Sequence, residues 1–454
     1  MAVLIDQRPL YEILPIGQQV MFAISEPTIV ATKFKVKFVA EVHVGNDSIN
    51  LSNSNDLIGT FKTTPNNAGV GIFNLRPILE TFLSPDNLGS TSGNGSRYKT
   101  TAVPHPIHLI DKISRNDTSM RYFAVKFKIE YADSSDGTVN APNNATDSVL
   151  YQMFNGVLQY DDVLTLDGNN YGYNLDANNF YPLPSQAKFL TNSPTTQYAS
   201  LTDYGTMPFL NFVPTSSDAV YSFTLNYYWD GGSSTQTVLE NWTNGGTGTY
   251  SSYIGTHLMY FGCFPANLQN WSTTFATAIS NGLTYYTIQA NNSSGAIGEL
   301  YTINILCPNL KEFEAIRLTW LNQWGTWDYY TFNMKSTRSI QTNRTSYTQL
   351  GGTWNESTFK INDYKGGKKN FRVNSTEKIK INTDFVTEAE GLWFEELINS
   401  PEVYIVNGFS TDLANTITNK YIDPVVLTTS SYVKKTIAND KVMQYTIEIE
   451  KSKM

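Results

Sequence analysis

The segment Glu314–Met334, EAIRLTWLNQWGTWDYYTFNM, restricts the fold more than any other stretch, because it packs three of the chain's eight tryptophans into a few residues. Ile316, Leu318 and Trp320 alternate with Ala315, Arg317, Thr319 and Leu321, which describes a strand with one apolar and one mixed face. Asn322 to Gly325 supply turn chemistry, and Trp327 to Asn333 form a second run of the aromatic and β-branched residues that suit a half-buried pleated surface. The pattern predicts a β-hairpin in which Trp320, Trp327 and Tyr329, with Phe332, are core anchors, each ring burying roughly 150–250 Å². The competing reading makes the same rings an exposed platform for sugars.

Period-two alternation recurs along the chain. In Phe34–Val44, Phe34, Val36, Phe38, Ala40, Val42 and Val44 fall on one face, with Lys33, Lys35, Lys37, Glu41 and His43 on the other. Arg121–Tyr131 repeats the design, with Phe123, Val125, Phe127, Ile129 and Tyr131 inward and Lys126, Lys128 and Glu130 outward, as in a sandwich wetted on one side. Between them Asn74 stands as an N-cap, with Phe73 and Ile78 at staple positions and Pro85 beyond the end, predicting a helix. Further strands are expected at 152–160, 221–229, 283–289 and 299–306, the last two flanking ANNSSGAIG as a hairpin. Thr387 and Glu390 form a capping box for a second helix, in which Trp393 is a further core anchor and which Ser400-Pro401 stops. Strands at 402–406, 424–428 and 442–450 complete the chain, with Met443, Tyr445, Ile447 and Ile449 on one face of the last.

These patterns predict an all-β, multi-domain β-sandwich architecture with two or three short helices. With 454 residues, more than one core is expected. The polar break ADSSDGTVNAPNNATDS suggests a boundary, giving domains over 1–135, 136–308 and 309–454, the middle one rich in long Asn/Gly/Ser/Thr loops.

Composition excludes several classes. Charged residues are 16 % and aromatics 13 %, the reverse of a disordered chain. A net charge of −8 argues against a general nucleic-acid-binding surface. Cys263 and Cys307 lack CxxC spacing and read as buried thiols, with a single bridge as the alternative. No run approaches the ~20 apolar residues that cross a bilayer, and the first residues lack a leader pattern, so a cytoplasmic product and no membrane are expected. The prolines around His105-Pro-Ile-His108 oppose the helix that a His-x-x-His metal pair needs. No catalytic or phosphate-binding signature is present, so neither enzyme nor cofactor is expected, although numerous carboxylates leave a glycosidase pair open. One charged segment stands apart. Lys360, Lys365, Lys368, Lys369, Arg372, Lys378 and Lys380 crowd 21 residues, opposed only by Asp363 and Glu377.

LTWLNQWGTWDYYTF, from Leu318, resembles a segment of virion structural proteins of tailed bacteriophages, the crAss-like group among them. Similar phrases are FKVKFVAEVHV from Phe34, TTPNNAGVGIFNLRPILETFL from Thr63, FLTNSP from Phe189, DYGTMPFLN from Asp203 and SSYVKKTIANDKVMQYTIEIE from Ser430. The resemblance implies a place in a virion tail or neck, after synthesis in the host cytoplasm. The expectation is a structural subunit of a ring or tail/neck assembly, whose partners are copies of itself and other virion proteins. The alternative is a receptor-binding or carbohydrate-binding tail protein that takes glycans. The basic cluster then reads as a solvated face, as a subunit interface carried by Lys365, Lys368, Lys369 and Arg372, or as a nucleic-acid contact lining a channel.

Overall fold

The computed structural model describes residues 2–9, 13–45, 49, 51, 55–84, 113–115, 120–157, 189–213, 220, 222–239, 255–292, 294–306, 313–353, 356–362, 364–407, 422–429 and 443–452. Strands dominate, and five α-helices and one 3₁₀ turn lie among the described residues. His105, His108, Cys307 and Asp363 lie outside them. No described helix is long and apolar enough to cross a membrane. The chain divides into two compact units: residues 1–308 with 319–329 and 408–417, and residues 309–318 with 330–407 and 418–454.

Two hydrophobic clusters of the first unit lie among the described residues. In one, Leu4–Gln7, Met21–Ser25 and Val70–Asn74 form a three-stranded sheet, while a second sheet runs Ile13–Pro15, Tyr151–Phe154, Met120–Ala132, Phe34–Gly45 and Leu57–Thr63. Phe22 and Phe73 of the first sheet meet Phe127 of the second at 5.3 and 5.9 Å between ring centroids, so the two apolar faces share one core as a sandwich. Gly71 permits the close approach, since a Cβ there would lie 2.4 Å from the Phe38 ring. The sheet continues past residue 135. Asn143–Asp147 and Tyr151–Phe154 both pair with Met120–Ala132, so the polar ADSSDG stretch is a connection inside one sheet.

Two local expectations are corrected here. Phe34 is exposed because Lys35 takes φ +53° and the ladder shifts register between Phe34 and Lys37, a bulge that turns the strand's first residue outward. The helix after Asn74 is short: Arg76–Leu79 followed by a 3₁₀ turn, Glu80–Phe82. Leu75 is its cap residue, while Asn74 Oδ1 accepts from Arg76 N at 3.2 Å.

The outer face of the larger sheet is less wet than alternation predicts. Val39 is fully buried there because Lys62 and Lys128 flank it on the adjacent strands and reach diagonally to Glu130 and Glu41, each at 2.6 Å, laying their methylene stems over it. His43, expected outward, is buried on the same face, and neither ring nitrogen has a hydrogen-bond partner among the described residues. Burial lowers its pKa, assisted by Lys126 and opposed by Glu41, Asp56 and Asp147. The folded pKa lies below the unfolded one, so His43 favours folding fully above pH ~6.5, and that contribution is lost as pH falls below it. Thermal midpoints at about pH 7.5 and pH 5 are expected to differ more in the wild type than in His43→Gln. Equal differences contradict the assignment.

The second cluster of this unit is built by a five-stranded sheet in the order Thr196–Ala199, Gly295–Ile305, Leu283–Asn292, Ser222–Trp229 and Gly232–Leu239. Leu283–Asn292 and Gly295–Ile305 form the expected hairpin. A three-stranded sheet, Met207–Val213, Gly255–Phe261 and Ile113–Arg115, contributes Phe261, which stacks on Phe223 at 4.2 Å. The helices Pro265–Trp271 and Thr273–Ser280 add Leu268 and Phe275 to this core. Ser272 starts the second helix: its Oγ accepts from Phe275 N and donates to Gln236 Oε1.

In the second unit the Glu388–Asn399 helix begins with the expected Thr387/Glu390 capping box and buries Trp393, Phe394 and Leu397. Phe394 lies 4.7 Å from Tyr330 and 6.3 Å from Tyr445. Met443, Tyr445, Ile447 and Ile449 are all buried, as their alternation predicts. This unit's strands Val403–Val406, Ile422–Leu427, Thr446–Lys451, Gly367–Asn382 and Thr337–Gln349 lie side by side in that order.

Candidate functional site: an exposed β-arm

The tryptophan hairpin is interior. Trp320 and Trp327 are fully buried, Trp324 nearly so, and Tyr329 is 4 % exposed. Its turn is built by Asn322, whose Oδ1 accepts from the backbone of Trp324 and Thr326 while its Nδ2 donates to Leu190 O at 2.9 Å. Gly325 has φ +70°, and a Cβ there would fall 1.9 Å from Asn155 O, so glycine is required on both counts. Tyr329 Oη is 3.0 Å from Thr206 Oγ1 and its ring packs near Phe264. These rings therefore offer no exposed platform to a sugar.

The exposed feature lies after the hairpin, where polar sequence without apolar alternation forms two of the longest strands in the chain. Thr337–Gln349 and Gly367–Asn382 pair antiparallel along their whole length, from Thr337 opposite Lys380 to Gln349 opposite Gly367. Only Lys378–Asn382 has a second neighbour, the strand Thr446–Lys451. From Thr376 to the tip the two strands have only each other among the described residues, a ribbon about 30 Å long at ~3.4 Å per residue. Ion pairs gather at its base: Arg338 binds Glu314 and Glu377, Lys451 approaches Glu377, and Lys378 approaches Glu448 and Glu450.

Beyond that base the arm has no core. Every residue from Thr337 to Thr348 and from Gly367 to Ser375 is exposed. The side-chain pattern is nevertheless ordered. Ile379 and Ile381 are buried, and continuing outward by twos on the same face come Val373 and, across the ladder, Ile340 opposite Glu377. Ile340 is 73 % exposed. The ladder slips between Thr345 and Ser346, so Phe371 is the extra residue of a bulge and is 79 % exposed. Leu350, Phe359, Ile361 and Tyr364 add exposed apolar groups near the tip.

The opposite face is basic. Lys369, Arg372, Lys378 and Lys380 alternate there, with Tyr347 across from Lys369. Lys368 is exposed on the strand and Lys365 half-buried in the tip turn. Lys365, Lys368, Lys369 and Arg372 form no ion pair with described residues. Lys369 Nζ instead donates to Tyr364 O, and Arg372 Nε to Asn374 Oδ1.

No group of three or more His, Cys, Asp or Glu that could hold a metal occurs among the described residues. Cys263 is a buried free thiol, and burial pushes its pKa up, away from the reactive thiolate. No protein-family model and no curated protein matches the sequence.

Proposed function

We propose that the chain is a structural subunit of a bacteriophage virion, building a ring or a tail/neck assembly through protein–protein contacts. The arm carries this reading. A two-stranded ribbon with no core is marginally stable in water by itself, and exposed apolar side chains grouped on one element mark a protein-contact surface. Its open edges also present unpaired backbone donors and acceptors to a neighbour. The resemblance of LTWLNQWGTWDYYTF and five further phrases to tailed-phage virion proteins adds the place. Other virion proteins and copies of the chain are its partners, and the virion is its location.

Mass spectrometry of gradient-purified phage particles is the test: peptides of this chain are expected at a fixed, multi-copy ratio to the major structural proteins. Their absence from washed particles overturns the reading. The same proposal predicts no glycan turnover. Purified protein incubated with bacterial capsule, lipopolysaccharide or peptidoglycan should release no reducing ends. Release abolished by replacing a single Asp or Glu would make the chain a hydrolase.

A further inference from the structure

The second unit carries two uncovered surfaces of opposite charge. Residues 337–382 hold nine Lys/Arg against three Asp/Glu, a net +6, which leaves −14 on the rest of a chain whose total is −8. The segment Thr383–Glu402, which includes the Glu388–Asn399 helix, has six carboxylates and no Lys or Arg. At the centre of that helix's outer face is Leu392, 54 % exposed, flanked at i−4, i+3 and i+4 by Glu388, Glu395 and Glu396. Phe385, 64 % exposed, lies seven residues before Leu392. A helix face with exposed Leu392 among carboxylates thus stands in the same chain as a ribbon face that carries Lys369, Arg372 and Tyr347.

We propose that the arm of one copy docks on the Leu392-centred acidic face of the Glu388–Asn399 helix of the next copy. The proposal rests on the reading of the chain as an assembling subunit, and it names the two surfaces that meet. Both faces are exposed within one chain, so they do not cover each other in cis, and a second copy brings them together. Lys369 and Arg372 meet the carboxylates of Glu388, Glu395 and Glu396, and Tyr347, 46 % exposed on the same face of the ribbon, packs on Leu392. Such a contact uses different patches on the two copies, so it repeats head to tail and closes into a ring when the rotation closes. Charge fixes the register and speeds encounter, and Tyr347 against Leu392 excludes water.

Charge swapping tests this. In one full-length variant the arm is reversed, Lys368→Glu, Lys369→Glu and Arg372→Glu. In the other the helix is reversed, Glu388→Lys, Glu395→Lys and Glu396→Lys. Circular dichroism and melting verify that each is folded. Sedimentation velocity is expected to find wild-type oligomers that weaken as salt rises, and at least about tenfold weaker self-association for each variant alone. An equimolar mixture of the two should recover oligomers, because each reversed surface then meets its complement. Unchanged association of either variant, or a mixture that stays monomeric while the wild type assembles, overturns this contact and leaves the virion reading intact. A wild type monomeric at every concentration and salt overturns copy-to-copy docking, whereas the virion reading falls only if the chain is absent from particles.

Discussion

Trp320→Ala is expected to lose about 3–5 kcal/mol of stability and to yield poorly soluble protein. Trp320 is fully buried, and its neighbours in the hairpin, Trp324 and Trp327, are nearly or fully so. Removing an indole from such a site forfeits its transfer free energy and leaves a cavity that the Asn322 turn cannot collapse into. That turn is held on several sides at once, by Asn322 Nδ2 on Leu190 O and by Gly325 against the Asn155 carbonyl. Chemical denaturation of the variant and the wild type decides it. A shift under about 1 kcal/mol, within the range of surface substitutions, contradicts a structural role for the hairpin.

Excising the arm is expected to have the opposite profile. Ile340 and Glu377 are direct cross-strand partners, so an Asn-Gly turn joining them removes residues 341–376 while preserving the base. The deleted residues are mostly exposed, and along the two strands they pair with each other, so little burial is lost from the body. The base keeps Arg338 on Glu377 and Glu314, and Lys378 beside Glu448 and Glu450. The shortened protein should melt within a few degrees of the wild type and remain monomeric where the wild type assembles. Normal assembly without the arm would move the interface elsewhere on the chain. A large loss of stability would make the arm part of the fold.

The difference between these two profiles follows from what the residues announce. Hairpin, sandwich strands and C-terminal helix were legible because their signals are local and redundant: alternating Phe123, Val125, Phe127 and Ile129, or a capping box at Thr387 and Glu390. The arm was not legible as strands, since both its faces are wet and Thr, Ser and Asn alternate with nothing apolar along most of its length. Only the cluster of cations marks it: Lys368, Lys369 and Arg372 lie on its second strand and Lys365 in the turn just before it. Ile340, Val373 and Phe371 carry no such mark, because their grouping depends on pairing register and on a bulge. The bulge at Lys35 is hidden for a related reason: a positive φ at lysine has no signature in sequence. His43 points outward by parity yet is buried, with Leu57 and Ala124 as its register partners on the adjacent strands, a cross-strand setting invisible along one strand.

The most direct test of the assembly account is electron cryomicroscopy of the phage particle that contains this chain. The account predicts a closed ring of copies in the tail or neck, with the arm of each copy seated on its neighbour and the Trp320–Trp327 hairpin inside each subunit. Density that places the chain as isolated copies with the arm in solvent, or as a fibre tip facing away from the particle, would contradict it.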